Sequence, residues 1–175
     1  MGGIRRSILI VYMIKINKSL VPSLLLFTLL MDFEKFAQTP YEDGAGTMTI
    51  GYGHAIKEDE SFTSITEKEA RALLLEDVES HRDSINNLVD VPLNQHQYDA
   101  LVSFVFNIGE DVFRKSGLLR ELNKGNYNEV PRRFMMYIND VQPDGTKKVV
   151  KGLIPRRKAE VDMWHGKYHP DNKYK

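Results

Sequence analysis

The sequence of 175 residues contains no cysteine, which excludes disulfide bonds, thiolate metal sites and a thiol nucleophile. It also has no net charge, because 24 basic residues balance 24 acidic ones. A balanced chain generates no overall field of the kind that draws a whole protein surface to nucleic acid or to an anionic membrane. Nucleic acid is therefore not an expected partner. With 42% hydrophobic residues, a chain of this length is expected to fold around one core.

Long apolar runs are also missing. Residues 7–14 and 19–31 are uncharged, but Lys15 and Lys18 separate them, and neither run reaches the roughly 20 apolar residues of a membrane-spanning helix. Two lysines before a leucine-rich run are also typical of an export or anchor signal, although no cleavage site of small residues follows before Asp32. The interpretation that we favour is a first helix whose leucines are core residues: Leu24, Leu25, Leu26, Leu29 and Leu30.

The next segment, from Pro40 to His54, is rich in turn residues. Asp43-Gly44 and Ala45-Gly46 mark turns, and residues 47–52 carry β-branched and aromatic side chains. This pattern predicts a small hairpin region.

Helical patterns dominate the rest of the chain. Capping boxes predict the starts of two long helices, one over about 66–89 and one from Asn94 to Gly109. The second of these is the expected centre of the core, because its apolar residues recur at helical spacing. The other predicted elements are helices over 118–122 and 130–138, a turn over 143–145, and a last helix from Pro155 to Gly166.

These elements indicate an α+β fold that is mostly helical. We expect a small β-hairpin lobe, a larger helical lobe and a ligand cleft between them. One domain is expected over residues 19–168, after an amino-terminal extension over 1–18 and before a tail over 169–175.

Two acidic residues have surroundings suited to acid–base chemistry. Glu34 lies between Phe33 and Phe36 at the end of the apolar run, and Asp43 lies in the glycine-rich turn nine residues later. A carboxyl group among aromatic side chains loses hydration and its pKa rises, whereas a carboxyl group in a solvated turn stays ionised. Glycoside hydrolases use such a pair, one acid to protonate the leaving oxygen and one carboxylate to activate water or to attack. The alternative is that both are solvated surface carboxylates.

The spacing of Glu34, Asp43 and Thr49 resembles the catalytic signature of glycoside hydrolase family 24, the phage-type lysozymes and endolysins. The resemblance spans roughly residues 24–166. Lys35 is a departure, because it stands where the family has a glycine that is not itself a catalytic group. The motifs that carry the resemblance are Phe33-Glu34-Lys35-Phe36, Pro40-Tyr41-Glu42-Asp43, Thr49-Ile50-Gly51-Tyr52-Gly53-His54, Phe106-Asn107-Ile108-Gly109 and residues 152–160.

The resemblance implies a two-lobed lysozyme-like fold and hydrolysis of the β-1,4 bond between N-acetylmuramic acid and N-acetylglucosamine in peptidoglycan. Glu34 would protonate the glycosidic oxygen, while Asp43 and Thr49 would hold the attacking water on the far face of the sugar, with inversion. No metal and no organic cofactor enters such a mechanism.

Several further residues are candidates for supporting roles. His54 is expected to hydrogen-bond within the hairpin or to pair with an acid in the first long helix. Arg156 or Arg157 would reach the ionised form of Glu34 or orient substrate; the alternative is that both are solvated. Asn107 is a candidate sugar contact. Phe106 is a candidate for packing or for contact with substrate, and Tyr41 and Tyr52 are candidates for shaping the site.

Two other functions remain open at this point. A lytic transglycosylase cuts the same bond without water, and an inactive domain would only bind murein; the combination of Glu34, Asp43 and Thr49 argues against both. We expect a monomeric endolysin whose partner is bacterial peptidoglycan, held in the host cytoplasm before lysis and acting on murein in the periplasm. A signal-anchored form in the inner membrane is the alternative, and a tail lysozyme or a secreted effector would keep the same catalytic residues.

Overall fold

A computed structural model describes residues 17, 19–44, 46–141, 145–172 and 174 of the chain. The predicted extension over 1–18 therefore lies outside the described residues except for Asn17. Ala45 of the first predicted turn and residues 143 and 144 of the second also lie outside them.

The helices are α1 (Leu24–Glu34), α2 (Glu67–Leu88), α3 (Gln95–Ile108), α4 (Glu110–Arg114), α5 (Gly117–Asn123), α6 (Val130–Phe134) and α7 (Leu153–Trp164), with a 3-10 turn at Tyr127–Glu129. The strands are β1 (Ala37–Glu42), β2 (Met48–Gly51), β3 (His54–Ala55), β4 (Asn139–Val141) and β5 (Lys147–Val149).

Helix α1 confirms the prediction of a helix that leads into Glu34. It begins after Ser23, whose hydroxyl oxygen accepts a hydrogen bond from the backbone N–H of Leu26. Leu26, Leu29 and Leu30 are fully buried, as expected. Leu24 is 81% exposed, so its assignment to the core was wrong. The reason is geometric, because residues 26, 29 and 30 share one face of a helix with 3.6 residues per turn and residue 24 does not. No helix within the described ranges is long and apolar enough to cross a membrane.

The small lobe is an antiparallel sheet in the order β1-β2-β3. The loop of the β1–β2 hairpin is closed from both sides, because the N–H of Asp43 donates to the carbonyl of Thr47 over 2.9 Å and the N–H of Thr47 donates to Asp43 Oδ1 over 2.8 Å. A glycine is required at residue 51, where φ is +66° and a Cβ would lie 3.1 Å from the Cβ of Ala70 in α2. The sheet therefore packs closely on the helical lobe.

The two long helices begin where the capping boxes predicted. Thr66 and Glu69 cap α2, and Asn94 and Gln97 cap α3. Helix α3 is the centre of the core, since residues 98–105 are all buried and α1, α2 and α7 pack around it.

Three boundaries differ from the sequence-based expectation. The helix predicted over 130–138 ends at Phe134, and β4 and β5 then form a hairpin that we did not predict. All three residues of β5 are exposed and two of them are lysines, so the strand lacks the apolar alternation by which strands are recognised. The last helix begins at Leu153 rather than at Pro155, which lies in its first turn, and it ends at Trp164.

Asn17 ties the chain ahead of α1 to the helical lobe. Its side chain is buried, its Nδ2 donates to the carbonyl of Val91 over 2.7 Å, and its Oδ1 accepts from the N–H of Leu93 over 2.9 Å. The backbone N–H of Ser23 also donates to Asp99 Oδ1 at 3.2 Å. These bonds fix the approach to α1 and therefore the axis of the helix that carries Glu34.

Candidate active site

Glu34 is the last residue of α1, at the boundary between the two lobes. Its Oε1 accepts a hydrogen bond from Nη1 of Arg156, which belongs to α7. On its other side lies the β2–β3 turn, where a Cβ on Gly53 would come within 3.2 Å of Glu34 Oε2. Gly53 has a φ of +84°, so both its backbone conformation and its closeness to the carboxylate require a glycine. Arg156 and the backbone of this turn together fix the Glu34 carboxylate.

Lys35, which stands in place of the family's glycine, has an unfavourable backbone conformation. Its φ of +57° and ψ of +155° fall in a region that side chains with a Cβ rarely occupy. Its N–H nevertheless donates to the carbonyl of Met31 and ends α1. A glycine at this position would relieve the strain, so we expect the departure at Lys35 to affect stability rather than chemistry.

We expect Lys35→Gly to raise the free energy of unfolding by about 1 to 3 kcal/mol, the usual cost of such a backbone conformation. Urea titration followed by circular dichroism measures it. Lys35→Ala is the matched control, because it removes the same charge and keeps the Cβ. Equal stabilisation by alanine and glycine would show that the side chain, not the backbone, was responsible.

Asp43 and Thr49 lie on the hairpin that faces Glu34. Thr49 in β2 pairs with Tyr41 in β1, and its hydroxyl donates to the carbonyl of Thr47 over 3.1 Å. Burial raises the pKa of Tyr41, and the charges of Glu34 and Asp43 raise it further. Gly53, in the turn that follows the strand of Thr49, lies against the Glu34 carboxylate, so the sheet that carries Asp43 and Thr49 borders Glu34.

His54 joins the sheet to the helical lobe. Its Nδ1 lies 2.9 Å from Asp77 Oδ2 in α2, and its Nε2 lies 2.8 Å from Glu60 Oε2. Burial alone would lower the pKa of His54, but the hydrogen bonds to Glu60 and Asp77 outweigh it and raise the pKa. Asp77 is the acid in the first long helix that the sequence analysis anticipated. Across the described ranges, no group of three or more His, Asp or Glu side chains is arranged to hold a metal ion.

The raised pKa of His54 makes stability depend on pH. Its contribution is complete below the unfolded-state pKa of about 6.5 and is lost as pH rises through the higher folded-state pKa. We therefore expect the free energy of unfolding to fall as pH rises above neutrality, and Asp77→Asn to weaken that dependence. Urea titrations at a series of pH values test this, with the exposed Asp83→Asn on the same helix as control. An unchanged slope in Asp77→Asn would contradict it.

The candidate substrate contacts lie in two places, Asn107 and Phe106 at the end of α3 and Tyr52 in the small sheet lobe. Asn107 Oδ1 accepts from Nη2 of Arg157 over 2.6 Å, and the ring of Phe106 packs edge-on against His81 at 5.2 Å between centroids. Tyr52 is 6% exposed and its hydroxyl donates to Glu67 Oε1 over 2.9 Å, so this polar group is already bonded to α2.

A groove of about 670 Å³ opens beside Asn107 in the helical lobe, and its other lining residues include Ile108, Leu118, Met136, Tyr137 and Val150. Neither Glu34 nor Asp43 lines this groove.

A buried acid that we did not predict lies behind the site. Glu160 is fully buried between Arg156 and Arg157, and it accepts a hydrogen bond from the hydroxyl of Ser103 over 3.0 Å. The signal that could have found it is the spacing, because residues three and four apart on a helix are neighbours and opposite charges at that spacing pair.

Comparison with known proteins identifies relatives along most of the chain. The family model described as phage lysozyme matches residues 31–160. The endolysin of Salmonella phage P22 is 42% identical over 127 residues, which are 69% of this chain and 81% of that protein. A protein of Escherichia phage Mu named SAR-endolysin is 35% identical over 136 residues, 78% of this chain and 76% of that protein. Among solved structures, the muramidase domain of SpmX from Asticaccaulis excentricus has a TM-score of 0.76 and 34% identity, covering 83% of this chain and 97% of that chain.

Proposed function

The chain belongs to the phage lysozyme family, and from that membership we propose that it hydrolyses the β-1,4 bond between N-acetylmuramic acid and N-acetylglucosamine. Membership of the phage lysozyme family makes the chain a glycoside hydrolase, a muramidase whose substrate is peptidoglycan. The observation that best supports the proposed reaction is the position of Glu34, whose carboxylate contacts Arg156 of α7 and lies against Gly53 of the β2–β3 turn, in the sheet whose hairpin carries Asp43 and Thr49.

In the proposed mechanism Glu34 is the general acid. Its carboxyl donates a proton to the glycosidic oxygen as the bond to the leaving sugar breaks. Arg156 orients the carboxyl and stabilises the carboxylate that remains after the proton has left. Gly53 leaves room for the carboxyl and supplies a rigid backbone on its other side.

Asp43 and Thr49 would handle the attacking water. Two hydrogen bonds between Asp43 and Thr47 hold the Asp43 side chain at the start of the hairpin loop. The Thr49 hydroxyl donates to Thr47, and its oxygen keeps lone pairs that can accept from a water molecule. A carboxylate that takes a proton from this water completes the hydrolysis.

Mass spectrometry of the fragments released from purified peptidoglycan tests the reaction class. Hydrolysis gives muramic acid with a free reducing end that has taken up one water, and heavy-oxygen water would label it. A lytic transglycosylase would give the anhydro sugar, lighter by one water and unlabelled. An inactive binding module would release no fragment, although it would still sediment with the peptidoglycan.

We further propose that the enzyme is an endolysin held in the host cytoplasm until lysis and active on murein in the periplasm. The anchored alternative is supported by the name of the phage Mu relative, SAR-endolysin. The two alternatives differ in what residues 1–16 do, and Asn17 sets the boundary for testing them because its side chain is bonded into the helical lobe.

We expect full-length protein in a Gram-negative host without a holin to remain in the soluble fraction, and the culture to continue growing. Deletion of residues 1–16 should change neither result and should leave the purified enzyme active. Cell fractionation and culture turbidity measure both. Full-length protein in the membrane fraction with spontaneous lysis, both abolished by the deletion, would instead establish an anchor.

A further inference from the structure

A buried cluster of three charged side chains, Arg156, Arg157 and Glu160, lies behind the proposed general acid. Glu34 contacts Arg156, Arg156 Nε lies 3.4 Å from Glu160 Oε1, and Arg157 Nε lies 3.0 Å from Glu160 Oε2. The side chains of Arg156, Arg157 and Glu160 are 5%, 0% and 0% exposed. Glu160 is therefore the one carboxylate within the described ranges that is paired with both arginines.

Helix α3 completes the cluster with neutral groups. The hydroxyl of Ser103 donates to Glu160 Oε1 over 3.0 Å, and the carbonyl of Ser103 accepts from Nη2 of Arg156 over 3.4 Å. Asn107 Oδ1 accepts from Arg157. The Arg156 guanidinium also lies 5.9 Å from the centroid of the Phe33 ring. Arg156 is thus held from several sides, with its Nη1 directed at Glu34.

The charge balance of this cluster matters for proton donation. A positive charge next to a carboxyl favours its ionised form, whereas a general acid must carry its proton when substrate binds. Two buried arginines without a counter-ion would together oppose protonation of Glu34. Glu160 compensates one of these two charges, and the second is left to orient the carboxyl. Burial raises the pKa of Glu160, and the charges of Arg157 and Arg156 oppose that shift.

We propose that Glu160 is a positioning residue for the reaction: it holds Arg156 against Glu34 and offsets one of the two buried arginine charges, so that Glu34 can carry a proton at the pH where the enzyme works. This inference rests on the proposed role of Glu34 as general acid. The charged and titratable groups around Glu34 are Arg156, Arg157 and Glu160 of α7, Tyr41 and Asp43 of the hairpin, and the exposed Lys35 that follows it.

Two substitutions that change the charge of the cluster in opposite directions distinguish this role from a purely structural one. Glu160→Gln keeps the shape and the acceptor for Ser103 but removes the negative charge, so the titration midpoint of Glu34 should fall by about one pH unit. Arg157→Gln removes a positive charge, so the midpoint should rise by a similar amount. The double variant restores the balance and should return the midpoint to that of the wild type. Glu129→Gln, at the exposed Arg132 pair, is the control that changes net charge away from the cluster.

Two readouts on the same proteins separate the possible results. NMR of isotopically labelled glutamate carboxyl carbons reports the midpoint of Glu34 without any turnover, with the resonance assigned by its loss in Glu34→Gln. The pH–activity profile on purified peptidoglycan reports the loss of the acid at alkaline pH, and its alkaline limb should shift by the same amounts. If Glu160→Gln does not fold, the double variant is compared with Arg157→Gln, and the loss of the Glu160 charge should lower the Glu34 midpoint between these two proteins.

The proposal would be overturned if the Glu34 midpoint in Glu160→Gln and in Arg157→Gln equalled that of the wild type within error. It would also be overturned if the midpoint shifted in the same direction in both variants. NMR midpoints that shift while the alkaline limb stays fixed would also overturn it, and would locate the failure in the proposed general acid. Opposite shifts, cancelled in the double variant and followed by activity, are the result that we expect.

Discussion

Glu34→Gln is expected to lower the rate of peptidoglycan hydrolysis by about 10²- to 10⁴-fold, the usual contribution of a general acid. Glutamine fills the same space and its oxygen still accepts the hydrogen bond from Arg156, but its amide has no proton that it can give to a leaving oxygen. The fold should therefore persist. Loss of turbidity of purified peptidoglycan measures the rate, and circular dichroism with urea titration checks the fold.

The matched control is Glu42→Gln, which removes an exposed carboxylate from β1 next to Asp43. This variant should retain most of the activity. Retention by Glu34→Gln of more than about a tenth of the wild-type rate would contradict its assignment as general acid, because proton donation is worth at least about 10²-fold.

Local signals were sufficient to predict the main helices. The two capping boxes act within four residues, so their positions could be read directly, and both are formed in the structure. The turn residues after Pro40 and the β-branched and aromatic residues at 47–52 predicted the hairpin, which the structure contains. These features could be predicted because each depends on residues that are close in sequence.

Features that depend on distant residues were missed. The pairing of Glu160 with Arg156 and Arg157 could be expected from their spacing, but its burial against Ser103 of α3 depends on packing between distant residues. The hydroxyl of Tyr52 is directed at Glu67, fifteen residues away, which no pattern in the hairpin indicates. Propensity alone also gave no reason for a positive φ at Lys35, because lysine does not favour it.

The sequence left open whether Arg156 and Arg157 are solvated or buried at the site, and the tertiary structure decides this. Two adjacent arginines in the first turn of a helix are equally compatible with solvent and with a buried site. Here both are buried and both pair with Glu160, but their other partners differ, since Arg156 contacts Glu34 and Arg157 contacts Asn107. The two residues are therefore not interchangeable, although they are neighbours of the same type.

The second large effect is expected at Asp43. Asp43→Asn keeps an oxygen that can accept the 2.8 Å hydrogen bond from the N–H of Thr47, so the hairpin loop should be retained. It removes the negative charge that would take a proton from the attacking water, and we expect a loss of about 10²-fold or more in rate. Asp59→Asn, at an exposed turn residue, is the control for a carboxylate changed to an amide. Activity of Asp43→Asn equal to that of the control would remove Asp43 from the mechanism.

The stereochemistry of the product then shows how Asp43 acts. If it positions water together with Thr49, water enters on the face opposite the leaving sugar, and the new reducing end should first appear as the α anomer. Direct attack by Asp43 would form a covalent glycosyl-enzyme, and a second inversion would give the β anomer. Inversion needs carboxyl groups about 6.5 to 9.5 Å apart, and retention needs about 5 to 5.5 Å, since only the wider pair leaves room for water. Proton NMR of the product within the first minutes, before mutarotation, records the anomer, and mass spectrometry of quenched enzyme records any adduct. A β anomer, or a sugar covalently bound to Asp43, would replace inversion with retention while leaving Glu34 as the acid.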